Sequence, residues 1–194
     1  MRRWDRSMDE LNKIYVEPTN RCNLKCVTCI RNSWDEPFGD MDWSVYHALI
    51  DGLADFPEVK TIAFAGFGEP LLHDRFPEMV RLAHARGLRT EMTSNATLLT
   101  PALGQGLIEA GLDQFVVSID GASGDSHGAI RPGVSLQEIT ANVRMLYRLS
   151  AGATETPIRI GIEFVAMKRN IGELPAIRQI ASEIRASFIL VTNL

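Results

Sequence analysis

Cys22, Cys26 and Cys29 are the three cysteines of this 194-residue chain, and they fall within eight residues of one another. Thiolates are soft donors that suit zinc or iron–sulfur clusters. An odd, clustered set makes a poor disulfide framework and points to metal or redox chemistry in a reducing compartment. Structural zinc closes its shell with four ligands. Three cysteines leave that shell one short, and His47, His73, His84 and His127 all stand far off in sequence. Three thiolates can instead hold three irons of a [4Fe–4S] cluster and leave the fourth iron open to a substrate or cofactor. The ligand count favours that cluster, with a zinc site completed by a distant histidine as the alternative.

Such ligands need a scaffold, and the chain supplies a repeating one. Short β-type runs at 14–17, 60–65, 88–93, 114–119, 158–165 and 187–193 alternate with helix-type segments at about 43–54, 74–86, 101–110, 136–150 and 172–186. Asp42 and the pair Thr100-Pro101 read as helix starts, and Gly87 and Gly111 as helix stops. A unit recurring every thirty residues or so is the pattern of parallel βα crossovers. The stretch 151–157 reads as a long loop between a helix and a strand.

The faces of the strands choose between the possible architectures. Ile158, Ile160, Ile162 and Phe164 alternate with Arg159, Gly161, Glu163 and Val165, and Phe115, Val117 and Ile119 alternate with Val116, Ser118 and Asp120. A flat sheet sandwiched by helices buries apolar runs on both faces. One apolar and one more polar face suit a curved sheet with helices outside and a wet or ligand-filled lumen. Six units fall short of the eight in a closed barrel of about 250 residues. The expectation is therefore an α/β fold: a partial, open (β/α)6 barrel of the TIM type, truncated after its sixth strand. An N-terminal extension over 1–12 precedes a core domain over 13–194, which is expected to be incomplete at its C-terminus.

Composition excludes several partners. With 45% apolar and 23% charged residues the chain is no disordered segment. Twenty basic residues against twenty-four acidic ones leave a net charge of −4. That balance lays down no electrostatic footprint for nucleic acid or an anionic membrane. The N-terminus lacks the apolar run of a signal peptide, and no stretch is apolar for the roughly 18 residues of a membrane span. A cytoplasmic protein is expected.

C-x3-C-x2-C directly after the first strand of a βα array resembles the signature of the radical S-adenosylmethionine (radical SAM) superfamily. Further motifs follow in that family's order. Gly66-Phe67-Gly68-Glu69-Pro70, ending the second strand, resembles its glycine-rich GGEP motif. Ser94-Asn95 ends the third strand where the family often has a polar residue on the ribose, and Ser118-Ile119-Asp120-Gly121 ends the fourth. Ile130-Arg131-Pro132-Gly133 resembles the arginine segment that follows, and the stretch from Met167 to Asn170 resembles the one near the adenine and ribose. The resemblance covers nearly the whole chain. Thr28 departs from it, standing where an aromatic residue often precedes the third cysteine, so Trp34 or Phe67 would have to supply that contact.

The resemblance implies a [4Fe–4S] cluster on Cys22, Cys26 and Cys29 with one open iron, and S-adenosylmethionine (SAM) held near Gly66, Phe67, Gly68, Glu69, Pro70, Asn95, Ser118, Asp120, Arg131 and Asn170. Gly66 and Gly68 would let backbone approach that ligand, and Arg131 would fork onto its carboxylate. It also implies a 5′-deoxyadenosyl radical that abstracts hydrogen from a substrate, and a one-electron donor such as ferredoxin or flavodoxin. Strand alternation places Lys13, Tyr15, Glu17, Glu91, Arg159 and Glu163 in the lumen. Glu17, Glu91 and Glu163 are then candidate contacts for a polar substrate, with mutual pairing inside the lumen as the alternative. The layout is similar to maturases of peptides and cofactors, which often carry auxiliary clusters in a C-terminal region. The run following Cys29, together with 66–70, resembles the maturases of tungsten-containing aldehyde oxidoreductases. An iron–sulfur electron carrier, or a fragment that binds cluster and SAM without turnover, are the rival functions.

Overall fold

The computed structural model describes residues 11–193, so the expected extension over 1–12 lies outside the described residues except for Leu11 and Asn12. Six strands form one sheet in sequence order: β1 Lys13–Val16, β2 Thr61–Phe64, β3 Arg89–Ser94, β4 Gln114–Ser118, β5 Arg159–Ala166 and β6 Phe188–Asn193. Every neighbouring pair is parallel. The result is the expected open half-barrel of α/β type. β6 is the most exposed strand, with Leu190 and Val191 open to solvent.

Six α-helices cover the outside: α1 Trp43–Gly52, α2 Phe76–Ala85, α3 Pro101–Ala110, α4 Gly124–Ile130, α5 Leu136–Ala153 and α6 Leu174–Glu183. Each long helix turns an apolar stripe inward, as Phe76, Met79, Val80 and Ala83 do on α2. Ile62, Phe64, Met92, Phe115, Val117, Ile160, Ile162 and Phe164 meet those stripes from the sheet at 1% exposure or less. This layer is the hydrophobic core. Helix ends follow local chemistry: Thr100 caps α3 by accepting from the Leu103 N–H, and Gly111 closes it at φ 86°.

Three details differ from the sequence reading. α5 runs on to Ala153, so only the last part of 151–157 is loop. α4 is not among the expected helix segments, because GDSHGAI carries two glycines in seven residues. It stands because Ser123 and Ser126 form a reciprocal capping box and because His127 and Ile130 are buried. The helix expected over 74–86 starts two residues later, as α2, and Pro70–Leu72 ahead of it forms a short 3-10 turn.

Candidate active site

The three cysteines sit on the loop from β1 to α1, and this loop is pinned before it reaches them. The Thr19 hydroxyl donates to the Gly39 carbonyl and accepts the Arg21 N–H. The Arg21 guanidinium forks onto Asp40 at 2.9 and 2.6 Å and reaches the Leu72 carbonyl. Beyond them, the Val27 N–H donates to the Ile130 carbonyl at 2.9 Å, tying the cysteine loop to the end of α4.

All three cysteines line one cleft of about 270 Å³ at the C-terminal ends of the strands, the end where barrels of this type place their chemistry. Three N–H groups face the sulfurs. The Leu24 amide points to the Cys22 Sγ at 3.4 Å, Asn95 Nδ2 to the same sulfur at 3.8 Å, and Arg131 Nη1 to the Cys26 Sγ at 3.8 Å. Burial pushes the Cys22 and Cys26 thiols up, with Arg131 opposing it at Cys26. A ligated metal reverses that preference, since only the thiolate binds. Among the described residues no three His, Cys, Asp or Glu side chains stand close enough to share a single ion. Three thiols lining one cleft are a donor set that fits three irons of a cluster with the fourth left open.

The loop from β2 forms the opposite wall. Glu69 is 2% exposed, and its carboxylate accepts from Ser94 Oγ and the Asn95 N–H at 2.8 Å each and from the Leu71 N–H at 3.2 Å. It thereby fastens the β2 loop to the end of β3. Burial raises its pKa while these hydrogen bonds pull the other way. Gly66 and Gly68 are required by packing within the protein: a Cβ on Gly68 would fall on the Thr19 carbonyl, and one on Gly66 would meet the Glu17 carboxylate. Phe67 is half exposed and meets Trp34 edge to face at 5.2 Å.

Of the candidate cluster, SAM and substrate residues, Cys22, Cys26, Cys29, Gly66, Phe67, Gly68, Glu69, Asn95, Ser118, Arg131 and Glu163 all line this cleft. Five do not. Pro70 is buried as the first residue of its turn. Asp120 is fully buried, its carboxylate accepting from Arg131 Nε at 2.7 Å and the Val165 N–H at 2.8 Å. Asn170 is buried behind it and donates to the carbonyls of Asp120 and Val165. Glu91 pairs lower in the lumen with Lys13 at 2.7 Å and Arg89 at 3.1 Å. Glu17 lies behind the 66–68 loop and accepts from its amides.

Glu163 stands beside Ser118 in the sheet register and faces the cleft, where burial raises its pKa. Arg31, Thr192 and Asn193 also line the cleft and were missed. The polar pair ending the last apolar strand was a usable signal for Thr192 and Asn193. Arg31 had none beyond its nearness to Cys29.

The Radical SAM superfamily model matches residues 16–158. The chain is 36% identical over 185 residues to the tungsten-containing aldehyde ferredoxin oxidoreductase cofactor-modifying protein of Pyrococcus furiosus, covering 93% of this chain and 51% of that one. It is 31% identical to the Fe-coproporphyrin III synthase of Methanosarcina barkeri, covering 91% and 42%. The chain thus spans about half the length of these curated relatives or less. Among solved structures, Streptococcus suis SuiB bound to precursor peptide SuiA superposes with a TM-score of 0.77 at 16% identity, covering 93% of this chain and 39% of that one. That likeness speaks for the fold alone.

Proposed function

This chain belongs to the radical SAM superfamily, and we propose that it is the catalytic core of a maturase-like enzyme acting on a cofactor precursor or peptide. The observation that carries this reading is the convergence of the three cysteines, the 66–69 loop, Asn95, Ser118, Arg131 and Glu163 on one cleft. Cys22, Cys26 and Cys29 would hold a [4Fe–4S] cluster with one open iron. Held there beside SAM, such a cluster would supply one electron for cleavage of the sulfonium to methionine and a 5′-deoxyadenosyl radical, which would take hydrogen from the substrate.

The chain's own residues position and insulate. Asp120 fixes the Arg131 guanidinium over Cys26. Its remaining N–H groups can serve a ligand carboxylate. Ser118 offers its hydroxyl at the end of β4, while the Asn95 side chain donates to the Cys22 sulfur and Asn23 and accepts from Thr97. Glu163 is the candidate contact for substrate, because its carboxyl alone among Glu17, Glu91 and Glu163 faces the cleft. The name of the Pyrococcus relative supports a cofactor precursor as substrate. A one-electron donor, such as ferredoxin or flavodoxin, is the required partner. Among the described residues no helix is long and apolar enough to cross a membrane.

Anaerobic reconstitution with iron and sulfide, followed by SAM and dithionite, tests the reading. About four irons per chain and formation of 5′-deoxyadenosine are expected, and Cys26→Ala should abolish both. Zinc in place of iron, or a cluster without SAM cleavage, refutes the enzyme. Glu163→Gln should impair substrate turnover while sparing uncoupled SAM cleavage; equal loss of both refutes its substrate role.

A further inference from the structure

Alternation along β1 put Glu17 in the lumen as a substrate contact, but the carboxylate has other work. Its Oε1 accepts the N–H of Phe67 at 2.5 Å and the N–H of Gly68 at 3.0 Å. These are successive peptide units of the loop that faces the cysteines across the cleft. Gly66, at φ 152°, brings the backbone so near that any Cβ there would collide with the Glu17 side chain. Carboxylate and glycine are therefore a matched pair: the glycine makes room for the acceptor, and the acceptor holds the loop.

A trans peptide unit is planar and directs its N–H and C=O to opposite sides, and the described chain holds no cis bond. Aiming the Phe67 and Gly68 amides at Glu17 turns the carbonyls of Gly66 and Phe67 the other way. Among the described residues neither carbonyl accepts a hydrogen bond. The resemblance of this loop to the family's glycine-rich motif implies that its backbone holds the amino group of SAM.

We propose that Glu17 is a positioning residue for that contact: by accepting the Phe67 and Gly68 amides it fixes the orientation in which the Gly66 and Phe67 carbonyls would meet the amino group. This rests on the assignment of the cleft as a SAM site, and it replaces substrate contact as the role of Glu17. The hydrogen bonds need one acceptor oxygen at the reach of a glutamate. Glutamine keeps that oxygen and loses the charge. Aspartate keeps the charge and falls one methylene short.

The test uses the anaerobically reconstituted full chain, with SAM affinity measured by equilibrium dialysis and iron content measured alongside. Glu17→Ala should weaken SAM binding tenfold or more at unchanged iron content, and Glu17→Gln should stay within threefold of wild type. SAM binding by Glu17→Ala within twofold of wild type overturns the proposal, as a pure substrate contact would give. If the alanine variant fails to fold, the other two decide. Glu17→Asp should bind SAM more weakly than Glu17→Gln, and the reverse order overturns the proposal. Failure of the wild-type protein to bind SAM removes the site assignment itself, and that is seen before any variant is compared.

Discussion

Replacing Asp120 by Asn should be among the most damaging conservative changes in the chain. The carboxylate has no exposure, and each oxygen is engaged: one by the Val165 N–H at 2.8 Å, the other by Arg131 Nε at 2.7 Å. Asn keeps the shape but presents one oxygen and one NH2, so in either orientation a donor faces a donor. It also leaves Arg131, whose side chain is 11% exposed, as a buried cation without its anion. Breaking a buried pair from one side costs about 3–5 kcal/mol. Against a total stability of about 5–15 kcal/mol that is a large share. At about 2–4 °C per kcal/mol for this chain length, Tm should drop by about 6–20 °C. Urea unfolding of the reduced, metal-free protein, followed by circular dichroism, measures the loss. Arg131→Met in the Asp120→Asn background removes the stranded charge, so the two changes together should cost at least about 2 kcal/mol less than their sum. A loss below about 1 kcal/mol for Asp120→Asn, or additive effects, would show that the pair is not the anchor its geometry describes.

The remaining predictions concern separate parts of the site. Arg131→Met should lower the midpoint potential of the reconstituted cluster, because an N–H aimed at a ligand sulfur favours the reduced form. A bond worth about 1 kcal/mol more to that form corresponds to about 40 mV, read by a redox titration followed by electron paramagnetic resonance. His127 is buried, accepts the Asp120 N–H, and has its pKa lowered from 6.5 to about 4 by burial. The unfolded chain therefore binds a proton that the folded one refuses. Stability should be full above pH 6.5 and fall by about 3 kcal/mol as pH drops towards 4, while His127→Gln should lack that share of the slope. Gly68→Ala places a methyl group against the Thr19 carbonyl, just before the cysteines, and should cut iron uptake while costing about 1–3 kcal/mol. Gly106→Ala meets open space inside α3 and should stabilise by about 0.5–1 kcal/mol.

The sheet was legible because a parallel strand under helices writes its outer face as every second residue, and Ile160, Ile162 and Phe164 do so without interruption. The long helices were legible for the same reason at a different period. α4 was not, since two glycines hide it and its support comes from Ser126 and from packing of His127. The cleft was legible where residue type and strand end coincide, as at Asn95, Ser118 and Arg131. It was not legible at Arg31, which enters the cleft through the path of a loop.

Alternation tells which face of a sheet a residue occupies, but not its height along the lumen or what a neighbouring loop does there. Glu17, Glu91 and Glu163 share a face and were therefore read as one substrate-binding set. The register separates Glu91 from Glu163: the first lies level with Gln114 and Ala63, the second with Ser118 and Leu190. Low in the lumen, Glu91 stands between Lys13 and Arg89 and neutralises charge. High in the lumen, Glu163 has the cleft before it, and burial raises its pKa so that a neutral carboxyl is easier to hold there. Glu17 lies past the end of β1, where the 66–68 loop folds over it and takes its oxygen for two amides. Three like residues on one face thus take three tasks, and the contacts made by neighbouring strands and loops decide which. The same logic ranks their substitutions. Loss of Glu91 should act on stability, loss of Glu17 on SAM affinity, and loss of Glu163 on substrate alone.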